Sequence, residues 1–360
     1  MGKLGLRTKT DYREHEVADP RSGAIASGKT GPSGLRSKAP VFALGSARSG
    51  TTLLYHMLLS AGGFAVLRSE THVFNVLEPT YGDLSVSKNR EKWVEAWLNT
   101  RMFKISGLDK DEIRARIMAE CKNGGDFLRI FMGELARKQG VERWAECTPD
   151  HLLYIDRIKQ TIPDALIIHI IRDGRDVALS LDKQKWIRPL PGDGKKHLEV
   201  AALYWEWVVQ RGREAGSKLG ADYCEVSFED LVHDPRPVLA KLSRFIEQDL
   251  NYDRIQEAAI GSVAEPNTSF EKGSEPGGFN PVARWKEGLS PEQTSAMDAL
   301  IGNTLRELGY PTGELESPTA KRPGLTWLRN RYRSYFDLKL WVKNETRIGK
   351  LLVNKELSWL

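Results

Sequence analysis

Val41-Phe42-Ala43-Leu44-Gly45-Ser46-Ala47-Arg48-Ser49-Gly50-Thr51-Thr52-Leu53-Leu54 is the stretch on which the fold turns. Four apolar residues predict a short strand, and the loop Gly45–Gly50 breaks it. From Thr51 to Ser60, Leu53, Leu54, Met57 and Leu58 fall on one helical face. Strand, glycine loop and helix form the opening unit of a parallel α/β sheet. The glycines let successive backbone N–H groups turn inward, and the helix start adds its own unsatisfied N–H groups and positive dipole end. An anionic phosphate is the natural occupant. Read alone, the loop also fits a tight strand-to-helix turn with no ligand.

Downstream, residues 85–140 read as mostly helical, with Trp93 and Trp97 four apart and Ile113, Ile117 and Met118 at helical spacing. The near-continuous apolar run Ala165 to Ile171 suits a central parallel strand buried on both faces. Tyr223 to Ser227 predicts another strand, Asp234-Pro235 the start of a helix, and Pro291 to Leu308 a closing helix. Gly273 to Pro281 reads as a turn-rich loop. The expected fold class is α/β: a P-loop-like parallel β-sheet flanked by helices on both faces, over residues 39–317. A mobile arm, 1–38, precedes it, and a basic, aromatic extension, 318–360, follows.

The 360 residues are 40% hydrophobic and 28% charged, a soluble globular composition that excludes collagen-like, mucin-like and wholly disordered chains. No run of about 18 apolar residues predicts a membrane span, and the acidic residues Asp11, Glu14, Glu16 and Asp19 argue against a secretory signal. Cys121, Cys147 and Cys224 are few and widely spaced, which points to a reducing cytoplasm rather than a disulfide framework. The net charge of +5 sits at the ends: residues 1–38 hold eight Lys/Arg against four Asp/Glu, and 318–360 ten against three, leaving 39–317 net −6. The body itself therefore gives no reason to expect nucleic-acid binding. The seven histidines and three cysteines form no metal-ligand spacing; Cys147 and His151 stand four apart without further partners.

A nucleotide triphosphatase places Lys where this chain has Thr51, so the loop's only cation is Arg48. That weighs against the alternative of a P-loop kinase or NTPase and suits a nucleotide bound without magnesium. The second signal is Ile170-Ile171-Arg172-Asp173-Gly174-Arg175-Asp176-Val177-Ala178-Leu179-Ser180. A buried strand delivers Arg172 to its C-terminal edge, where ligands of open α/β sheets bind. Arg172 and Ser180 together would hold a second phosphate; alone, Arg172 is equally a salt-bridge partner for Asp173 or Asp176.

With these two stretches in order, about 120 residues apart, the chain resembles the sulfotransferases that use 3′-phosphoadenosine-5′-phosphosulfate (PAPS), nearest to their bacterial and tyrosylprotein-type branches. The resemblance spans about residues 40–310. It implies that Arg48, Ser49, Gly50, Thr51 and Thr52 hold the 5′-phosphosulfate and that Arg172 and Ser180 hold the 3′-phosphate. It also places Phe228 beside the adenine, with Arg284 and Trp285 closing over the nucleotide and no metal required. Glu70-Thr71 matches the pair that carries the catalytic carboxylate in tyrosylprotein-type relatives, with Arg48 facing the leaving phosphate. A Glu near apolar walls can be raised towards neutrality, as a base requires. His72 is the rival base, and an ion pair of Glu70 with Arg68 is the plain alternative.

One departure stands out: where many relatives read Glu-Lys-x-Pro, this chain has Glu146-Cys147-Thr148-Pro149. Cys147 then reads as a small buried strand residue rather than a catalytic thiol. Either Arg48 works alone, or Arg68 or His151 replaces the missing cation. A nucleotide-binding sensor that has lost the chemistry stays open on this residue alone. The acceptor's identity is not legible; a small molecule, a carbohydrate or a lipid-linked hydroxyl or amine all fit, and residues 73–140 are expected to cap its side. Residues 325–342 interleave aromatics with Arg and Lys. They fit either a peripheral membrane contact or a helix packed on the body or a second subunit, the latter favoured by Leu351-Leu352-Val353 and Trp359-Leu360 as further packing residues. Nothing in the sequence sets the oligomeric state.

Overall fold

The parallel sheet is built from β1 (Val41–Leu44), β2 (Phe64–Ala65), β3 (Arg143–Glu146), β4 (Leu166–Ile171) and β5 (Tyr223–Ser227), in the order β2-β3-β1-β4-β5. The computed structural model describes residues 36–264, 280–313, 323–346 and 348–349. Val41 pairs with Ala145 on one side and Leu166 on the other. After β1 the chain crosses to the β2 edge, returns through β3, and passes over β1 to β4 and β5. Such reversals open a crevice at the carboxyl ends of the strands. The glycine loop, Glu146, Arg172 and Phe228 all lie at that edge.

Strand alternation divides the interior into two cores. Val41, Ala43, Leu166, Ile168 and Ile170 face one way, and Phe42, Leu44, Ile167 and Ile171 the other. The first face is covered by α1 (Thr51–Ser60). Over the second, after the single turn α2 (Glu78–Tyr81), lie α3 (Ser87–Leu98), α4 (Arg101–Ser106), α5 (Lys110–Glu120) and α6 (Gly124–Lys138). Trp93, Trp97, Phe127 and Phe131 make an aromatic cluster there, with the Trp97 and Phe131 rings 4.8 Å apart and edge-on. The same face takes α7 (Ile155–Thr161), α8 (Gly174–Gln184) and α9 (His197–Gly216); α10 (Phe228–His233), α11 (Pro235–Ile246) and α12 (Tyr252–Ala258) join α1. Helices on both faces of a parallel sheet are what the sequence predicts.

Three further helices complete the described residues: α13 (Trp285–Gly288), α14 (Pro291–Glu307) and α15 (Pro323–Glu345). Helix α14 starts on a capping box between Ser290 and Gln293. The basic stretch 325–342 packs on the body. Leu328, Tyr332 and Phe336 are buried, Arg329 pairs with Glu206 of α9 at 2.7 Å, and the Trp207 indole donates to Asp337 at 2.7 Å.

Within the expected N-terminal arm, Arg36–Lys38 form a turn tied to the body. Arg36 Nε donates to the Phe245 carbonyl at 2.6 Å, and Nη1 pairs with Asp222 at 3.2 Å. Residues 1–35, the loop reading from 273 to 279, and the apolar residues from Leu351 to Leu360 lie outside the described residues. Among the described residues, no helix is long and apolar enough to cross a membrane.

Candidate active site

The chain leaves β1 through a loop in which Ser49 N–H closes on the Ser46 carbonyl at 3.0 Å. Arg48 and Gly50 both take left-handed backbone, with φ of 72° and 94°. Gly50 is demanded twice, since a Cβ there would also sit 2.3 Å from the Phe228 ring. For Arg48 the conformation is strained, a feature concentrated at functional sites. No side chain caps α1, so the free N–H groups of its first turn and its positive dipole end face the crevice.

A cleft of about 380 Å3 lies there, lined among others by Arg48, Gly50, Thr51, Thr52, Glu70, Arg172, Phe228 and Arg284. Arg48 Nε donates to Ser180 Oγ at 2.9 Å, and Arg172 Nη1 donates to the Arg48 carbonyl at 3.1 Å. The strand-end arginine, the helix serine and the loop arginine therefore converge, from positions 132 residues apart in the chain. Burial, and then the neighbouring Arg172 guanidinium, push the Arg48 guanidinium below its ordinary value. Two cations held together in this way favour an anion between them. Ser49 Oγ and Arg172 Nε are buried with no hydrogen-bond partner among the described residues, and such orphans call for a ligand.

Struts fix this arrangement. Arg172 pairs with Asp176 at 3.3 Å, one turn on, and donates to the Pro281 carbonyl at 2.5 Å. It also lies 4.6 Å over the Phe228 ring. Asp173 instead takes Arg175, at 2.8 Å. Ser49, Ser180 and Trp285 do not line the cleft. Trp285 lies behind it, with its backbone N–H donated to Asp176 at 2.8 Å and its ring 3.7 Å from the Arg175 guanidinium.

On the other side, Glu70 and His72 are in contact: His72 Nε2 lies 3.2 Å from Glu70 Oε2. Arg68 is exposed and is not Glu70's partner there. Asn75 Nδ2 approaches His72 Nδ1 at 3.3 Å and Asp150 at 3.4 Å. Burial works to lower the His72 pKa, but Glu70 and, more weakly, Asp150 and Glu146 raise it above its ordinary value. The Glu70 side chain is 40% exposed, so a proton it accepts has a route to water.

The segment that lacks the lysine is the platform beneath Glu70. Thr148 Oγ1 accepts from Thr71 N at 3.0 Å and His72 N at 3.2 Å, and itself donates to Glu146. Glu146 also accepts from Thr71 Oγ1 at 2.8 Å and His151 Nδ1 at 3.0 Å. His151 is fully buried and its Nε2 accepts from Phe74 N, so it is no stand-in for the missing lysine. Neither His151 nor Arg68 lines the cleft. Glu146 is quoted in the sequence motif, but its positioning role appears only once β3 and the Glu70 segment are side by side.

Cys147 is buried in the core around α1, and burial, then the Glu146 and Glu70 charges, push its thiol well above its ordinary value. It is an inert packing residue. Iodoacetamide is expected to leave Cys147 unlabelled in the native protein and to label it on unfolding. Mass spectrometry of the peptides reads the outcome, and rapid native labelling would reopen a thiol chemistry.

A sequence profile of the sulfotransferase family matches residues 40–252. The chain belongs to this family. The match takes in the glycine loop, Glu70, Arg172, Ser180 and Phe228. Among solved sulfotransferase structures, the domain from the curacin biosynthetic pathway aligns over 76% of this chain and 98% of its own, at 15% identity and a TM-score of 0.49. The domain from the Synechococcus PCC 7002 olefin synthase covers 76% and 95% at 18% identity and a TM-score of 0.47. Sulfotransferase STF9 from Mycobacterium avium covers 76% and 78% at 16% identity and a TM-score of 0.42. No curated protein sequence matches significantly. Helices α13, α14 and α15 lie beyond the matched residues.

Proposed function

We propose that this sulfotransferase moves a sulfuryl group from PAPS to an acceptor hydroxyl or amine. The reading is carried by Arg172, whose guanidinium donates to the Arg48 carbonyl, and by the neighbouring Arg48 guanidinium on Ser180, at the uncapped start of α1 beside the orphaned Ser49 Oγ and Arg172 Nε. Those groups suit a doubly phosphorylated nucleotide: Arg48, Ser49, Gly50, Thr51 and Thr52 for the 5′ group, Arg172 and Ser180 for the 3′-phosphate. The Phe228 ring, already under Arg172, offers a face for the base.

PAPS supplies an activated sulfur whose leaving group is a stabilised phosphate. Glu70 takes the proton of the acceptor hydroxyl while its oxygen bonds to sulfur. The bond from sulfur to the bridging phosphate oxygen breaks, and the electron pair leaves on that oxygen. Arg48 and the first N–H groups of α1 face the charge as it develops there. The products are the sulfated acceptor and adenosine 3′,5′-bisphosphate.

The test is a thermal-shift titration. Adenosine 3′,5′-bisphosphate is expected to raise the melting temperature, and AMP to do so far less. Charge-assisted bonds are worth roughly 1.5–3 kcal/mol each, so losing the 3′-phosphate contacts weakens binding at least about tenfold. Arg172→Ala should erase the difference between the two nucleotides. Equal stabilisation of the unmodified chain by AMP would remove the second anion site.

A further inference from the structure

Beside the nucleotide cleft runs a second groove, of about 460 Å3, between α9 and α15. Trp186 lines both cavities, and the Glu70–His72 pair bridges them: Glu70 lines the first and His72 the second. The two cavities therefore adjoin at Trp186 and at the Glu70–His72 contact.

We propose that this groove holds the acceptor, and that the acceptor is an amphipathic alcohol with a largely apolar body and an acidic group; the proposal rests on the sulfuryl-transfer reading above. The floor is aromatic and aliphatic: Tyr204, Trp207, Tyr335, Phe336 and Leu340. Its rings hold one another, with Tyr204 and Phe336 edge-on at 5.4 Å, Trp207 and Phe336 at 5.5 Å, and the Trp207 N–H already spent on Asp337. A carbohydrate with a hydroxyl on nearly every carbon would bury polar groups against these faces without partners, whereas a hydrocarbon body loses nothing there. The lining carboxylate, Asp150, is engaged by Asn75 beside His72. Exposed Arg188 and Lys339 stand at the solvent edge, and neither is paired with a carboxylate among the described residues. Charge complementarity therefore sets an anionic group at the rim. Helix α15, which supplies Tyr335, Phe336, Lys339 and Leu340, lies outside the residues matched by the family profile, so this wall belongs to the chain's own extension.

The probes are 12-hydroxydodecanoate and its neutral counterpart 1,12-dodecanediol, titrated calorimetrically into the full chain without nucleotide. The hydroxyacid is expected to bind at least tenfold more tightly than the diol. The double variant Arg188→Glu/Lys339→Glu, at exposed positions where folding is not at stake, should remove that advantage and leave diol binding unchanged. Leu340→Trp, which fills the floor, should weaken both probes, with circular dichroism and melting temperature confirming a folded chain. Equal binding of the two probes, indifference of the hydroxyacid to charge reversal, or preference for a neutral saccharide such as maltotriose would each overturn the proposal. Adenosine 3′,5′-bisphosphate binding is measured in parallel. Nucleotide binding without hydroxyacid binding rejects the acceptor class alone, whereas hydroxyacid binding without nucleotide binding rejects the transfer reading.

Discussion

Glu70→Gln is expected to lower turnover by roughly 10²–10⁴ while leaving nucleotide affinity nearly unchanged. Glutamine keeps the size and one hydrogen bond to His72 but cannot take the acceptor's proton. Glu70 lines the cleft without belonging to the cluster of Arg48, Ser180 and Arg172, so the donor's ground-state contacts survive. Arg48→Ala should damage both binding and turnover, because Arg48 belongs to that cluster and also faces the leaving phosphate. Steady-state kinetics beside calorimetric nucleotide binding separate the two patterns. An active Glu70→Gln enzyme with an inactive His72→Ala enzyme would move the base to the histidine.

The contact between Glu70 and His72 gives this reaction a pH dependence with a definite sign. The His72 pKa is raised, with burial opposing and Glu70 chief among the groups that raise it. Below that pKa an imidazolium is ion-paired with Glu70; above it the imidazole is neutral and the carboxylate is released to meet the acceptor's proton. Turnover should therefore rise with pH through a value above the ordinary 6.5 of histidine. His72→Gln should flatten that rise. The same pair stabilises the fold only at lower pH: its contribution is complete below the unfolded histidine pKa and is lost as pH climbs through the folded one.

How much of this was legible depended on whether the signal was local. Strand β1, its loop and α1 are contiguous, and the residues at Gly45, Gly50 and Thr51 carry their own geometric reasons. Arg172 and Asp176 stand at i,i+4, so their pairing was one of two local choices. The groove was not legible, because Tyr204 and Phe336 lie far apart in sequence and meet only when α15 lies on α9. In residues 73–140, Trp93, Trp97, Phe127 and Phe131 turn inward, and from that segment only Asn75 and Val76 line the groove. An amphipathic helix shows that one face is buried but not which partner buries it. The contact between Glu70 and His72 was hidden for a similar reason: His72 takes a left-handed backbone, with φ of 51°, and its ring lies against Glu70.

Glu146→Ala is expected to destabilise the chain by about 3–5 kcal/mol, the usual cost of breaking a buried charged network by removing one member. Burial alone would raise the Glu146 carboxyl, but His151 and the Thr148 and Thr71 hydrogen bonds outweigh it and hold the pKa at about 2. Removing the carboxylate orphans the Thr71 and Thr148 hydroxyls and the His151 N–H together. A depressed carboxyl pKa contributes stability above its unfolded value, near 4.5, and that contribution fades as pH falls towards the folded value. Chemical denaturation at pH 7 and again at pH 3 should therefore show the advantage of the unmodified chain over Glu146→Gln shrinking with acid. Turnover adds a second axis. Because Thr71 and His72 hang from Thr148 and Glu146, Glu146→Gln should lower turnover and stability together, whereas above the His72 pKa Glu70→Gln lowers turnover alone. A Glu146→Gln enzyme as stable and as active as the unmodified chain would mean that the platform does not position the base.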